Sequence, residues 1–175
     1  MNAFPRYISA THSNCENIKF RQVLLENLND EEKGEKHHPE LWLRFGEGLG
    51  EERNRMLREE MFPQTKALVE TFMNLSQASF EEGLGALYAY EQQVPRVAET
   101  KIRGLREFYG ISDERSLEFF QVHLKADEYH SQAVADIVES LSPESQVKVE
   151  RAAEEAAKAL WNFLSGICEA SPAMN

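Results

Sequence analysis

His123, Asp127 and His130 are the side chains of this 175-residue chain whose types and spacing best suit chemistry. On a helix advancing about 100° per residue they fall within about 60° of one face, so two imidazoles and a carboxylate converge on one point. A metal ion requires such convergence. Three further ligand candidates precede them, Glu31, His38 and Glu91, so the full set is three imidazoles and three carboxylates. Hard oxygen and borderline nitrogen donors in that mixture suit a pair of iron or manganese ions better than a thiolate-rich zinc site. Two acidic ligands and one imidazole per metal, with a bridging carboxylate, leave coordination positions open. Open positions on redox-active iron are where dioxygen binds, which favours an oxidase over a storage site.

Each residue also has a plainer reading. His123, Asp127 and His130 share their helix with Lys125 and Glu128, as a solvated polar face would. Leu84, Leu87, Val94 and Ala98 put Glu91 on the buried side of its helix, where a carboxylate needs a metal, a proton or a buried Lys or Arg. Glu31 and His38 are seven residues apart and would superimpose on an unbroken helix. Pro39 instead pushes His38 out of the α region and Gly34 weakens the turn between them, which leaves His37 and Glu35 as substitutes. Tyr88, three residues before Glu91, shares its face, either beside the metals or in the core. Lys101 is turned nearest the Glu91 side, at about 80° from it, if one helix carries both. Arg103 and Arg106 fit pairing with Glu99 and Glu107 at helical spacing. Trp42 and Trp161 read as core anchors.

The elements that must position these groups are helical throughout, because apolar residues recur at three- and four-residue steps and no segment alternates as a strand does. Ser79-x-x-Glu82 is a capping box, Gly110 a C-terminal cap, and Ser142-Pro143 an N-cap followed by proline at the first helical position. Pro39 and Pro63 mark two more starts. Helices are expected at about 4–32, 39–49, 63–77, 80–109, 113–141 and 144–169. The fold class is an all-α bundle, one domain over 1–169 with a flexible tail at 170–175.

A formal charge of −11 argues against nucleic acid or an anionic membrane as partner, since phosphate attraction needs clustered Lys and Arg. The apolar runs are short and broken by charges, and the start Met1-Asn2-Ala3-Phe4-Pro5 has no basic stretch leading into an apolar one. A cytoplasmic protein is expected. Cys15 and Cys168 are the only cysteines and give no disulfide framework.

Four segments, taken in order, resemble a known family. They are Asp30-Glu31-Glu32-x-Gly34-x-x-x-His38 with Leu41-Trp42 after it, Ala86-Leu87-Tyr88-x-Tyr90-Glu91-x-x-x-Pro95, Lys101-Ile102-Arg103-Gly104-Leu105, and His123-x-x-x-Asp127-x-x-His130. They resemble the CADD-like members of the haem-oxygenase-like diiron oxidases, within the TenA and PqqC superfamily. The resemblance implies a haem-oxygenase-like bundle that binds no haem. Two iron ions, or iron plus manganese, would be held by Glu31, His38, Glu91, His123, Asp127 and His130. It further implies synthesis of 4-aminobenzoate for folate from dioxygen and an external reductant, in a single turnover that consumes a tyrosine of the protein, with Lys101 as amino donor. Members of that group carry a further N-terminal stretch with a first helix and the tyrosine that is consumed. This chain begins inside the following helix, so its bundle is expected to be truncated there, leaving an apolar groove that predicts a homodimer. Tyr88 is then the internal tyrosine placed to substitute. Two other functions compete: a related oxidase acting on an external small molecule in cofactor synthesis, and a non-catalytic helical module that binds a protein partner.

Overall fold

Sequence periodicity alone does not show where these helices break, and the breaks decide how the ligand candidates meet. The computed structural model describes residues 2–170, so the expectation of a flexible tail falls largely on residues 171–175, outside the described residues. Among the described residues there are nine helices and no strand: α1 (Phe4–Ser13), α2 (Ile18–Glu32), α3 (His38–Gly48), α4 (Arg53–Arg58), α5 (Pro63–Ala78), α6 (Phe80–Glu91), α7 (Val94–Tyr109), α8 (Glu114–Ser140) and α9 (Pro143–Ala170). None is long and apolar enough to cross a membrane.

Two expected helices are each divided. The first stops at Asn14, whose side-chain amide donates to the carbonyls of Ser76 and Gln77. The chain restarts at Asn17, whose side chain accepts from the Lys19 amide at 2.9 Å. Asparagine competes for backbone groups in this way, so it favours caps over helix interiors. The second break follows Glu91: Pro95 lacks an N–H and its ring would clash with the carbonyl four residues back, so α7 starts afresh at Val94 with proline in its first turn. The short α4 has no apolar period to announce it and is capped by Glu52, which accepts from the amides of Asn54 and Arg55. Elsewhere the punctuation acts as anticipated. Ser79 caps Glu82, Gly110 adopts φ 68°, and α9 opens at Pro143.

The helices pack into two apolar clusters. The larger gathers Ile8, Leu24, Phe72, Leu75, Leu84, Leu87 and Ala156, with Val134 and Ile137 from the C-terminal part of α8. At its centre α6 is buried from Gly83 to Leu87. A Cβ on Gly85 would run into the Val149 carbonyl and come within 2.9 Å of the Ala152 Cβ, so only glycine lets α6 lie this close to α9. The smaller cluster joins α3, α7 and α8 through Leu41, Ala98, Ile102, Leu105, Leu117, Phe119 and Phe120.

Ion pairs reinforce that smaller cluster. Arg53 reaches Glu40 at 2.7 Å and Glu47 at 2.8 Å, Arg44 reaches Glu40 and Glu118, and Arg115 reaches Glu47. The guanidinium of Arg53 holds both Glu40 and Glu47 down to about 2. Other expectations need correcting. Trp42 and Trp161 are 40% and 73% exposed rather than core anchors. Arg103 and Arg106 share an open groove with Glu99 and Glu107, but neither arginine forms an ion pair among the described residues.

Candidate metal centre

Between the two clusters lie all six ligand candidates, brought together from four helices. Glu31 closes the last turn of α2, His38 is the first residue of α3, Glu91 is the last of α6, and α8 supplies His123, Asp127 and His130. Every one is 3% exposed or less. His38 sits inside α3, contrary to the expectation that Pro39 would push it from the α region. In the first turn a proline removes an N–H that has no helical partner, so its cost is small there. His37 is instead the N-cap, accepting from the Glu40 amide at 3.2 Å, and Glu35 is exposed. Neither substitute joins the site.

Some of the ligand candidates touch one another. Glu31 Oε1 lies 2.9 Å from His38 Nδ1, out of line for a hydrogen bond. Ligand atoms of Glu31, His38 and His123 lie within 4.8 Å of one another. His123 Nδ1 is 2.7 Å from the Phe119 carbonyl. A carbonyl only accepts, so Nδ1 carries the proton and Nε2 the lone pair, as a metal-binding imidazole requires. On the opposite side Asn27 donates to Glu91 Oε1 at 2.6 Å, and His130 Nε2 lies 3.1 Å from Asp30, which is 54% exposed on its side chain.

Electrostatics make this a site in want of cations. Burial, against the hydrogen bond from Asn27 and with the charge of Glu31, pushes Glu91 up to about 8. Burial, then the charges of Glu91 and Glu31, pushes Asp127 up to about 9. Burial and the neighbouring His38 bring His123 down to about 4, and burial lowers His130 as well. Among the described residues no lysine or arginine is buried, so no internal ion pair neutralises Glu91. Glu31 Oε2, Glu91 Oε2 and Asp127 Oδ2 are buried without a hydrogen-bond partner, and His38 Nδ1 and His130 Nε2 meet only the carboxylates of Glu31 and Asp30. Unpaired buried acceptors of this kind are costly and rare, and carboxylates with neutral imidazoles match a pair of divalent first-row ions. The residues fit such metals.

Of the two readings of Tyr88, beside the metals or in the core, the packing favours the core. Tyr88 and Tyr90 both pack against the larger apolar cluster; at Tyr90 burial, then the charges of Asp127, Glu31 and Glu91, makes the phenol hold its proton more tightly. Tyr90 is therefore the α6 tyrosine beside the site, and its ring rests on Phe4 at 4.7 Å. Lys101 is exposed on α7, and the break after Glu91 removes the continuous helix on which their angle was reckoned. Asn27, Asp30 and the Phe119 carbonyl were not anticipated. Asn27 had one signal, since it precedes Glu31 by one helical turn on the same face.

Comparison with known proteins supplies the chemical context. The family described as iron-containing redox enzyme matches residues 1–162. A 4-aminobenzoate synthase from Nitrosomonas europaea is 45% identical over 179 residues, covering 95% of this chain and 73% of that protein. A 4-aminobenzoate synthase from Chlamydia trachomatis serovar D is 38% identical, covering 97% of this chain and 74% of the relative. A solved CADD-like protein of unknown function from Nostoc punctiforme superposes with a TM-score of 0.80 at 17% identity, over 96% of this chain and 76% of its own, which speaks to the fold alone.

Proposed function

The chain belongs to the iron-containing redox enzyme family, and from that membership we propose that it forms 4-aminobenzoate, with Glu31, His38, Glu91, His123, Asp127 and His130 holding two metal ions. The observation that carries the proposal is the gathering of six buried ligand candidates from four helices, three of their carboxylate oxygens without a partner and no buried lysine or arginine among the described residues to satisfy them. Two irons, or iron with manganese, bound there would activate dioxygen with electrons from an external reductant.

The protein's own groups prepare for this in separate ways. Glu31 is the middle of the set: it touches His38, and its charge is felt at Glu91, His123, Asp127, His130 and Tyr90. Glu31 would hold metal there together with His38 and His123. Glu91 and Asp127 keep protons in the metal-free protein at neutral pH and surrender them to metal. His123 stays neutral, with Phe119 fixing which nitrogen faces inward. The apolar walls on either side keep water from the site, which strengthens every charge interaction inside it. Resemblance to the self-consuming synthases assigns the amino nitrogen to Lys101 and the ring to a tyrosine. Tyr90, rather than Tyr88, is the α6 phenol within reach of the site's charges.

The test is to produce the full chain without oxygen, measure bound iron and manganese, and then add dioxygen with a reductant. The expected result is 4-aminobenzoate at no more than one molecule per chain, a matching change in protein mass, and no product from Lys101→Ala. Fewer than one metal per chain after reconstitution would sink the dinuclear assignment. Product exceeding the protein, with its mass unchanged, would instead identify an external small-molecule substrate.

A further inference from the structure

Asn27 is 2% exposed, and its side chain bonds directly to a ligand candidate on another helix. Nδ2 donates to Glu91 Oε1 across 64 residues of sequence, at 2.6 Å, while its own Oδ1 is buried without a partner. Helices α2 and α6 have no close backbone contact and otherwise meet through apolar side chains, Phe20 stacking on Phe80 at 5.9 Å, so this is the one polar link between them among the described residues. It spans the site. Glu91 is thereby left with one engaged oxygen and one free one, Oε2, which has no hydrogen-bond partner.

We infer that Asn27 is a positioning residue that makes Glu91 a one-oxygen metal ligand, holding Oε1 away from the metals and aiming Oε2 at them. The inference rests on the reading of the six buried residues as metal ligands. The residue type fits the task. An amide donates to an ionised carboxylate without cancelling its charge, whereas lysine or arginine at this position would neutralise Glu91 and compete with the metal. An aliphatic residue would leave Oε1 without a donor and free to swing round, so that both oxygens could chelate one ion. Asparagine is also short, with two side-chain torsions to fix, and a rigid helix carries it one turn from Glu31. A single face of α2 thus provides one ligand and orients another.

The test compares the chain with Asn27→Leu, which keeps the branched side-chain skeleton, removes the donor and adds some bulk. Ferrous iron is titrated into each without oxygen, and the 57Fe-loaded proteins are examined by Mössbauer spectroscopy. In Asn27→Leu one of the two metals should bind about 10- to 100-fold more weakly, the range typical when a partner of a metal ligand is lost. One of the two ferrous doublets should change while the other stays. Wild-type affinities with an unchanged spectrum in Asn27→Leu would overturn the positioning role and leave the dinuclear reading standing. A wild-type chain that fails to take up two metals would overturn both. Should Asn27→Leu fail to fold by circular dichroism, Asn27→Ala, which strains nothing, decides by the same two readouts.

Discussion

The two halves of this bundle are held together by different means. Around α1, α5, α6 and α9 the contacts are apolar and close, down to a glycine set against a carbonyl of the next helix. Around α3, α4, α7 and α8 a smaller apolar cluster is backed by ion pairs and borders six buried ligand candidates, most of them without partners. The first half has its stabilising contacts in the bare chain. The second keeps charged groups in a dry place where only protons or metal can complete them, so the cost of function is concentrated there.

Asp127→Asn should separate the halves most sharply. It is isosteric but leaves a weaker metal ligand, so metal stoichiometry and 4-aminobenzoate formation should both be lost, as read by elemental analysis and mass spectrometry. The metal-free variant should nevertheless melt no lower than the metal-free wild type. A large loss of stability would show that Asp127 supports the fold and would erase the contrast.

Gly85→Ala should do the converse. Its new methyl meets the Val149 carbonyl, which cannot move without shifting α9, and overpacking of this kind costs about 1–3 kcal/mol. Urea denaturation should register that loss while the metal content of the surviving folded protein stays at the wild-type value.

Dependence on pH gives a third, intermediate effect. Glu91 and Asp127 lie at about 8 and about 9 in the metal-free fold, raised from 4.5 and 3.8. For a carboxylate raised in the folded state, the associated stability is fully present below the unfolded value and is lost as pH climbs through the folded one. Metal-free protein should therefore lose this contribution between about pH 4 and pH 9, while metal-loaded protein should not, since its carboxylates are already ionised. Calorimetry in buffers of different ionisation enthalpy should also detect protons released on metal uptake at neutral pH. Uptake without proton release would refute the raised values.

The smallest effect concerns the ion pairs. Arg53→Ala removes contacts to Glu40 and Glu47, but these groups are partly open to solvent, where such pairs contribute little and salt screens them. A small drop in the thermal midpoint at low ionic strength should vanish in high salt. A drop that persists in high salt would mean that packing, not charge, holds α4 in place.

What could be read from the sequence divides along physical lines. The spacing of His123, Asp127 and His130 was legible because α8 is regular over its 27 residues, so angles computed from number hold. Proline and glycine stops were legible for the same local reason. Tyr90 was not, because α6 is buried nearly all round from Gly83 to Ala89 and offers no apolar stripe from which to set its phase. The angle of Lys101 from Glu91 was not legible, because a two-residue break separates α6 from α7. Trp42 and Trp161 show that a large side chain on a helix is no guarantee of depth. The six ligand candidates could be named from residue type, but that they meet from four helices was implied only by a resemblance to a family, since tertiary convergence leaves no trace in local spacing.

Helix α8 passes through both halves, with Leu117 and Phe120 in the smaller cluster, the three ligand candidates at mid-length, and Val134 and Ile137 in the larger one. The three ligand candidates are therefore moored at both ends, by apolar packing that needs no metal and by a helix without a break. Their spacing along the chain is fixed before any ion arrives, so the bare protein already holds the register that a metal would use.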